Sequence, residues 1–316
     1  MLAPALTSYG TAAPYINGGD VQNRGFEFAV NWHDKIGKDF TYGMNVNLTY
    51  NKNKVTRIAN EEGVIHGASH VLSQNTQEMY RAEVGYPIGY FYGYKTEGIF
   101  QNQAQIEEYI AAGKGVFEGA RPGDVIFADL NQDGVIDEND KTMIGNPHPD
   151  FVMGFSMNFG YKGFDLSLTA TGAFGHQIAK AYRNFADTRY DNYTREVFDR
   201  WMGEGTSDKW PRLTYGTEIN YQYISDIWIE NADYVKLQNV TLGYDFKKLF
   251  PKMPLGQARL YVTAQNLFTI TGYSGMDPEV GYGGDRTNGD GNWASGIDLG
   301  FYPSPRTYLI GVNLKF

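Results

Sequence analysis

The chain has no cysteine, 12 proline among 316 residues and no excess of positive charge. Without cysteine no disulfide framework exists, although that absence fits a reducing cytosol and a disulfide-free envelope protein equally. A formal net charge of −9 with no basic patch argues against nucleic acid as a partner, because phosphates would be repelled. No apolar run approaches the roughly 18 residues that a spanning helix needs, and mean hydropathy is −0.44. Blocks of Ala, Leu, Glu and Lys at helical spacing are nearly absent. The opening "MLAPALTSYG" has neither the basic nor the apolar region of a signal peptide, so an exported protein would have its beginning upstream.

A missing helical span does not exclude a membrane. A β-strand crosses in about 9 to 11 residues with one apolar face, which averaged hydropathy conceals. The composition points that way, with 24 Tyr, 19 Phe and 38 Gly, a mixture that favours strands and tight turns.

Alternation with a period of two recurs along the chain. Phe26, Phe28, Val30 and Trp32 share one face of the first such stretch. Phe40, Tyr42, Met44, Val46, Leu48 and Tyr50 alternate with Thr41, Gly43, Asn45, Asn47 and Thr49. Phe151 to Phe159 and Phe164 to Ala170 follow, separated only by Tyr161-Lys162-Gly163, which predicts a hairpin. In "YVKLQNVTLGYDF" the apolar phase changes between Leu237 and Val240, which predicts a β-bulge near Asn239. "ARLYVTAQNLF" and the terminal "RTYLIGVNLKF" complete the clear strands, and weaker ones are expected near 70–82 and 87–98.

Nine strands result, joined alternately by short connections (33–39, 83–86, 161–163, 247–256) and mostly long ones (53–69, 99–149, 174–233, 269–305). Transmembrane barrels alternate in this way, with short periplasmic turns and long extracellular loops. The odd count implies further strands upstream, since bacterial barrels have even numbers. Soluble β-sandwiches also alternate, but their strands are usually about 5 to 6 residues, shorter than these. Amphipathic helices are expected at Ala104–Ala112 and Tyr193–Met202, inside the long loops.

One stretch carries sharp chemistry. "DLNQDGVIDEND" places Asp129, Asn131, Asp133, Asp137 and Asp140 at positions one, three, five, nine and twelve of a calcium loop. Gly134 stands at the sharp turn, and Val135 offers its carbonyl at position seven. Aspartate replaces the usual glutamate at twelve and shortens the last ligand's reach. Ca²⁺ is the expected ion, pinning a long loop whose ordering is otherwise entropically costly. The alternative is an ion-free Asx-rich turn. His66 and His70 read as surface residues, Glu107 and Glu108 as a solvated helix face. "GYGGDRTNGDGNW" lacks the Lys-Ser/Thr of a phosphate loop and reads as an external loop. No nucleophile and base pair suggests an enzyme.

The segments "NRGFEF", "GYPIGYFYGYKTEGIFQ", "IGNPHPDFVMGF", "YKGFDLSL", "YVKLQNVTLGY" and "AQNLFTITGYSGMDPE", with the terminal strand, resemble the C-terminal part of SusC/RagA-type TonB-dependent transporters. Residues 1–316 would then form the C-terminal part of an antiparallel transmembrane β-barrel, about nine to ten strands of a larger 22-stranded barrel. The plug domain and the N-terminal strands lie outside the chain. The resemblance implies outer-membrane import in a Gram-negative bacterium, oligosaccharide or peptide cargo, and a SusD-like surface lipoprotein over the loops. It also implies energy from a TonB-ExbB-ExbD system through the part absent here, and outer-membrane lipid around the wall. Tyr90, Tyr92, Trp201, Trp210 and Trp293 are candidate stacking platforms for cargo, with packing as their alternative role. Two other classes stay open: a passive small porin, which needs a closed ring, and a secreted calcium-stabilised carbohydrate-binding β-sandwich, which needs the apolar faces sealed.

Overall fold

Alternating residues in single strands become continuous rows in the computed structural model, which describes residues 17–68, 71, 77–181, 194–213, 220, 223–280 and 294–316. Seven strands form one antiparallel sheet, numbered here along the chain: β1 Gly19–Ile36, β2 Phe40–Ile58, β3 Phe151–Tyr161, β4 Phe164–Phe174, β5 Tyr234–Asp245, β6 Gln257–Thr271 and β7 Thr307–Lys315. Each pairs only with its sequence neighbours in this set, giving an up-and-down meander with β1 and β7 at its edges.

Register explains why both faces are uniform. One row of partners runs Trp32, Met44, Met157, Leu168, Val240, Ala264, Tyr308 across all seven strands. The row beside it runs Asn31, Asn45, Ser156, Thr169, Asn239, Gln265, Thr307. A slip of one residue in any strand would place apolar groups among polar ones, so the pattern fixes the pairing.

The apolar face is uncovered. Phe28 is 56% exposed, Leu242 46% and Ile310 79%, and among the described residues no second sheet or helix lies over them. That removes the β-sandwich reading, which needs this face buried. Aromatic rings mark both ends of the apolar zone. At one end Phe26 stacks on Tyr50 at 5.4 Å and Phe151 lies tilted against Tyr50 at 4.9 Å, and Phe164 meets Tyr244 at 4.4 Å at the other. β3 joins the two ends in 11 residues, about 33 Å of strand, which at a tilt near 40° spans about 25 Å. This is the height of the apolar band of an outer-membrane barrel.

Turn and bulge chemistry follow the sequence. Lys162 and Gly163 both have positive φ, 47° and 96°, so the β3–β4 hairpin is a tight two-residue turn. The bulge expected near Asn239 falls at Gln238, where pairing passes from Leu237 directly to Asn239 against both neighbouring strands. On the polar face Arg259 reaches over Gly243 to Asp165, with Nε to Oδ1 at 2.8 Å, and a Cβ on Gly243 would lie 2.5 Å from that nitrogen.

Three expectations need correction. Among the described residues the wall has seven strands rather than nine, because Tyr80–Glu83 and Tyr90–Tyr94 belong to a separate four-stranded sheet with Val64–His66 and Lys141–Gly145. Tyr90–Tyr94 is buried on both faces, so it has no wet side to present to a lumen. The connection at 83–86 therefore lies inside an outer loop, and short turns at 37–39, 162–163 and 246–256 alternate with long loops at 59–150, 175–233 and 272–306. The helix expected at Tyr193–Met202 is a 3-10 turn, Arg195–Asp199, in its described part; Thr194 supplies no side-chain cap, and Trp201 instead donates its N–H to the Trp210 carbonyl at 2.9 Å. The other helix forms as expected, α1 at Gln103–Ala111, capped by Asn102 Oδ1 accepting from the Gln105 N–H.

Candidate functional site: the outer loop body

The long loops all leave the wall at one end and fold against each other. Residues 59–150 supply the four-stranded sheet and α1. A second small sheet combines Gln177–Lys180 and Ile229–Asn231 with Ile297–Asp298 of the last loop. Tyr94 donates its N–H to the Ile224 carbonyl at 2.8 Å, joining the first loop to the second.

Shared cores hold the body together. Tyr94, Ile99, Phe127 and Ile136 of the first loop pack with Trp210, Ile227 and Trp228 of the second. Phe91 and Ile144 meet Ala179, Ile224 and Ile297, so a second core draws on all three loops. Apolar burial of this kind is the main force available to order long loops against their chain entropy.

Ion pairs also tie these segments together. Asp124, 2% exposed, accepts from Arg212 Nε at 2.7 Å and from Asn220 Nδ2 at 2.8 Å. Buried Lys180 donates to Glu196 and to Ser274 Oγ, with Glu230 at 3.7 Å. Lys236, on β5, donates to Glu279 with Asp277 at 3.9 Å, so the wall grips the Asp277-Pro278-Glu279 segment.

Burial alone would raise the Glu196 carboxyl, but hydrogen bonds from Lys180 and Thr194 outweigh it and hold the group down at about 2. The folded value lies below the ordinary 4.5, so the stabilisation is complete above that pH and is lost as pH falls towards about 2. The hydrogen-exchange protection factors of residues 177–180 and 195–199, corrected for the intrinsic pH dependence of exchange, should stay constant from pH 7 to 5 and fall below pH 4.5. Glu196→Gln should remove that acid dependence.

The sequence-predicted aromatics are mostly interior. Tyr90 is 1% exposed and donates its hydroxyl to Glu83, while burial, followed by Glu83, pushes its ionisation well above the ordinary tyrosine range. Tyr92 lies under the Arg81 guanidinium, 3.3 Å from the ring centroid. Trp210 packs against Trp228 at 5.3 Å and carries the Lys209 ammonium at 4.9 Å. Trp201 is half-buried against Gly123. Trp293 and His70 lie outside the described residues. His66 is exposed and bridges Glu78 at 2.8 Å and Glu62 at 2.9 Å.

The acidic loop is a hydrogen-bonded turn. Asp129 Oδ2 accepts from the Gly134 and Gly115 N–H groups at 2.9 and 3.0 Å, while its Oδ1 is buried with no hydrogen-bond partner. Asn131 Oδ1 accepts from Asp133 N–H at 3.0 Å, and Asp133 Oδ1 from Val135 N–H at 2.9 Å. Gln132 and Gly134 take positive φ, 61° and 84°. Asp137 caps the following turn, and fully buried Asp140 spends both oxygens on the Leu130, Asn131 and Asp137 N–H groups. Among the described residues no three Asp, Glu or His groups converge on one point as a metal centre.

Sequence reasoning missed an open cavity of about 490 Å³ between the second and third loops, lined by Glu196, Lys209, Trp210, Glu230, Asn231 and Ser274. No local motif announces it, because its walls come from separate loops.

A seven-stranded meander with one apolar and one polar face, and long loops gathered at one end, defines a segment of transmembrane β-barrel wall with an extracellular body. No family model matches the chain. It is 33% identical over 310 residues to TonB-dependent receptor P3 of Formosa agariphila, covering 97% of this chain and 30% of the relative. It is 28% identical over 305 residues to TonB-dependent receptor SusC of Bacteroides thetaiotaomicron, covering 95% and 27%. Its fold matches a structure of the RagAB peptide transporter with a TM-score of 0.71 at 21% identity, over 100% of this chain and 32% of that one. These likenesses place the chain among the SusC/RagA-type TonB-dependent transporters, as a portion spanning about 30% of the curated relatives it matches.

Proposed function

We propose that the chain supplies part of the wall and the capture loops of a TonB-dependent importer in the outer membrane of a Gram-negative bacterium, with oligosaccharides or peptides as cargo. The observation that carries this reading is the uncovered apolar row running through all seven strands, since a soluble protein would bury it. The named relatives support TonB as the energy source, acting through a part of the receptor beyond this chain. SusC and RagAB likewise support a SusD-like lipoprotein seated on the loop body. A passive porin is disfavoured, because the described sheet is open at β1 and β7.

Fractionation tests the membrane reading: the protein should stay with outer membranes in high salt and leave only in detergent. Recovery in detergent-free buffer overturns it. Uptake of labelled maltooligosaccharide against labelled peptide, in cells with and without the gene, then separates the two cargo classes.

We also propose that Ca²⁺ binds the acidic loop. Asp129, Asn131 and Asp133, with the Val135 carbonyl, fit a hard cation: the position-one carboxylate already bonds the glycine at position six and keeps one buried oxygen spare. Asp137 and Asp140 would join by exchanging backbone hydrogen bonds for the ion. Calorimetry should show heat of binding, and calcium at a hundredfold its dissociation constant should stabilise the loop body by about 2.7 kcal/mol. Asp133→Ala should abolish both effects, whereas a chain that shows neither heat nor stabilisation leaves an ion-free turn.

A further inference from the structure

Two strands of the wall continue outward past the aromatic ring, and their next outward-facing residues are cations. Phe26 and Tyr50 are partners on the apolar face. Two positions further out, about 7 Å along the strands, Arg24 faces Lys52 directly across the ladder, and Lys54 follows on the same face. All three are exposed. On the opposite face Val55 and Ile58 are buried under the loop body with Ala82, which leaves the basic face turned outward.

Like charges directly opposite each other on a sheet are destabilising. Among the described residues only one of the three is answered: Lys52 Nζ lies 2.8 Å from Asp150 Oδ2. Arg57, nearby on β2, is already paired with Asp20 at 2.7 Å. Among the described residues Arg24 and Lys54 have no ion-pair partner, in a chain whose formal net charge is −9. Their height matters as much as their charge. Aromatic rings mark the hydrocarbon boundary, so the next residues outward stand at the level of lipid headgroups.

We propose that Arg24, Lys52 and Lys54 form a docking site for the phosphate of an anionic lipid headgroup in the outer leaflet. The guanidinium offers a planar pair of donors to phosphate oxygens, and the ammonium groups add point charges from the neighbouring strand. The headgroup relieves the Arg24–Lys52 repulsion, and its acyl chains lie along Phe26 and Phe28. This rests on the membrane-wall reading.

The test uses protein extracted from its own outer membrane into dodecyl maltoside. Micelles doped with phosphatidylglycerol or with zwitterionic phosphatidylcholine are compared, and bound lipid is counted by native mass spectrometry. The wild type should retain phosphatidylglycerol preferentially. Arg24→Ser with Lys54→Ser should weaken retention about thirtyfold, the equivalent of roughly 1 kcal/mol per charge. Arg24→Lys and a distant control, Lys38→Ser at the opposite rim, should retain it. Equal retention of the two lipids, or an unchanged double variant, overturns the site while leaving the membrane reading intact. Displacement by millimolar inorganic phosphate overturns the lipid assignment in favour of a free-anion site. Protein that needs no detergent overturns both readings.

Discussion

Arginine in place of Phe155 should destabilise the membrane-inserted protein by about 2–4 kcal/mol, while Ser156→Arg, one residue further on, should cost far less. Phe155 lies near the middle of β3, between Val46 on one side and Ala170 on the other, midway between the aromatic ends of the apolar zone. A cation there would sit near the bilayer midplane, where lipid-facing arginine is most costly. Ser156 points to the other face, beside Asn45 and Thr169. Urea titration of folding into vesicles measures both substitutions. Equal penalties would mean that hydrocarbon does not line one face, and the wall reading would fail with them.

Trp210→Ala should loosen the outer body by about 3–5 kcal/mol and leave the wall unchanged. The indole is only 9% exposed and fills a core made by two loops, so its removal leaves a cavity beneath Trp228 and Tyr94. Amide exchange at 94–99, 125–127 and 227–231 should quicken, while β1–β7 keep their protection. Cargo affinity should fall only as far as the loops are disordered. Unchanged exchange with lost cargo binding would instead make Trp210 a contact residue, a stacking platform for cargo. Tyr90 and Tyr92 are governed by the same reasoning: a ring sealed in a core has no face left for a sugar.

The wall was legible because its cause is local. Strands half-immersed in hydrocarbon must alternate, and residues 26–32, 40–50, 151–159 and 164–170 do so without interruption. The phase change after Leu237 located the bulge to within a residue of its place at Gln238. The wall count was not legible, because "YFYGY" alternates no more clearly as a lumen strand than as a buried loop strand. Only its neighbours, with Met79 and Ile224 packed beside Phe91, decide between the two. The acidic loop announced its ligand types, yet whether Asp140 faces an ion or the backbone depends on hydrogen bonds that the spacing does not encode.

Sequence by itself determined the two-faced strands, the tight turn at Lys162-Gly163 and three of the four short connections, since period and turn chemistry act over a few residues. Tertiary structure alone decided which strands are wall and which are loop, how three loops share a core, and that Arg24 stands opposite Lys52. Those facts depend on groups far apart in the chain being brought together, and no local pattern records which of them will meet.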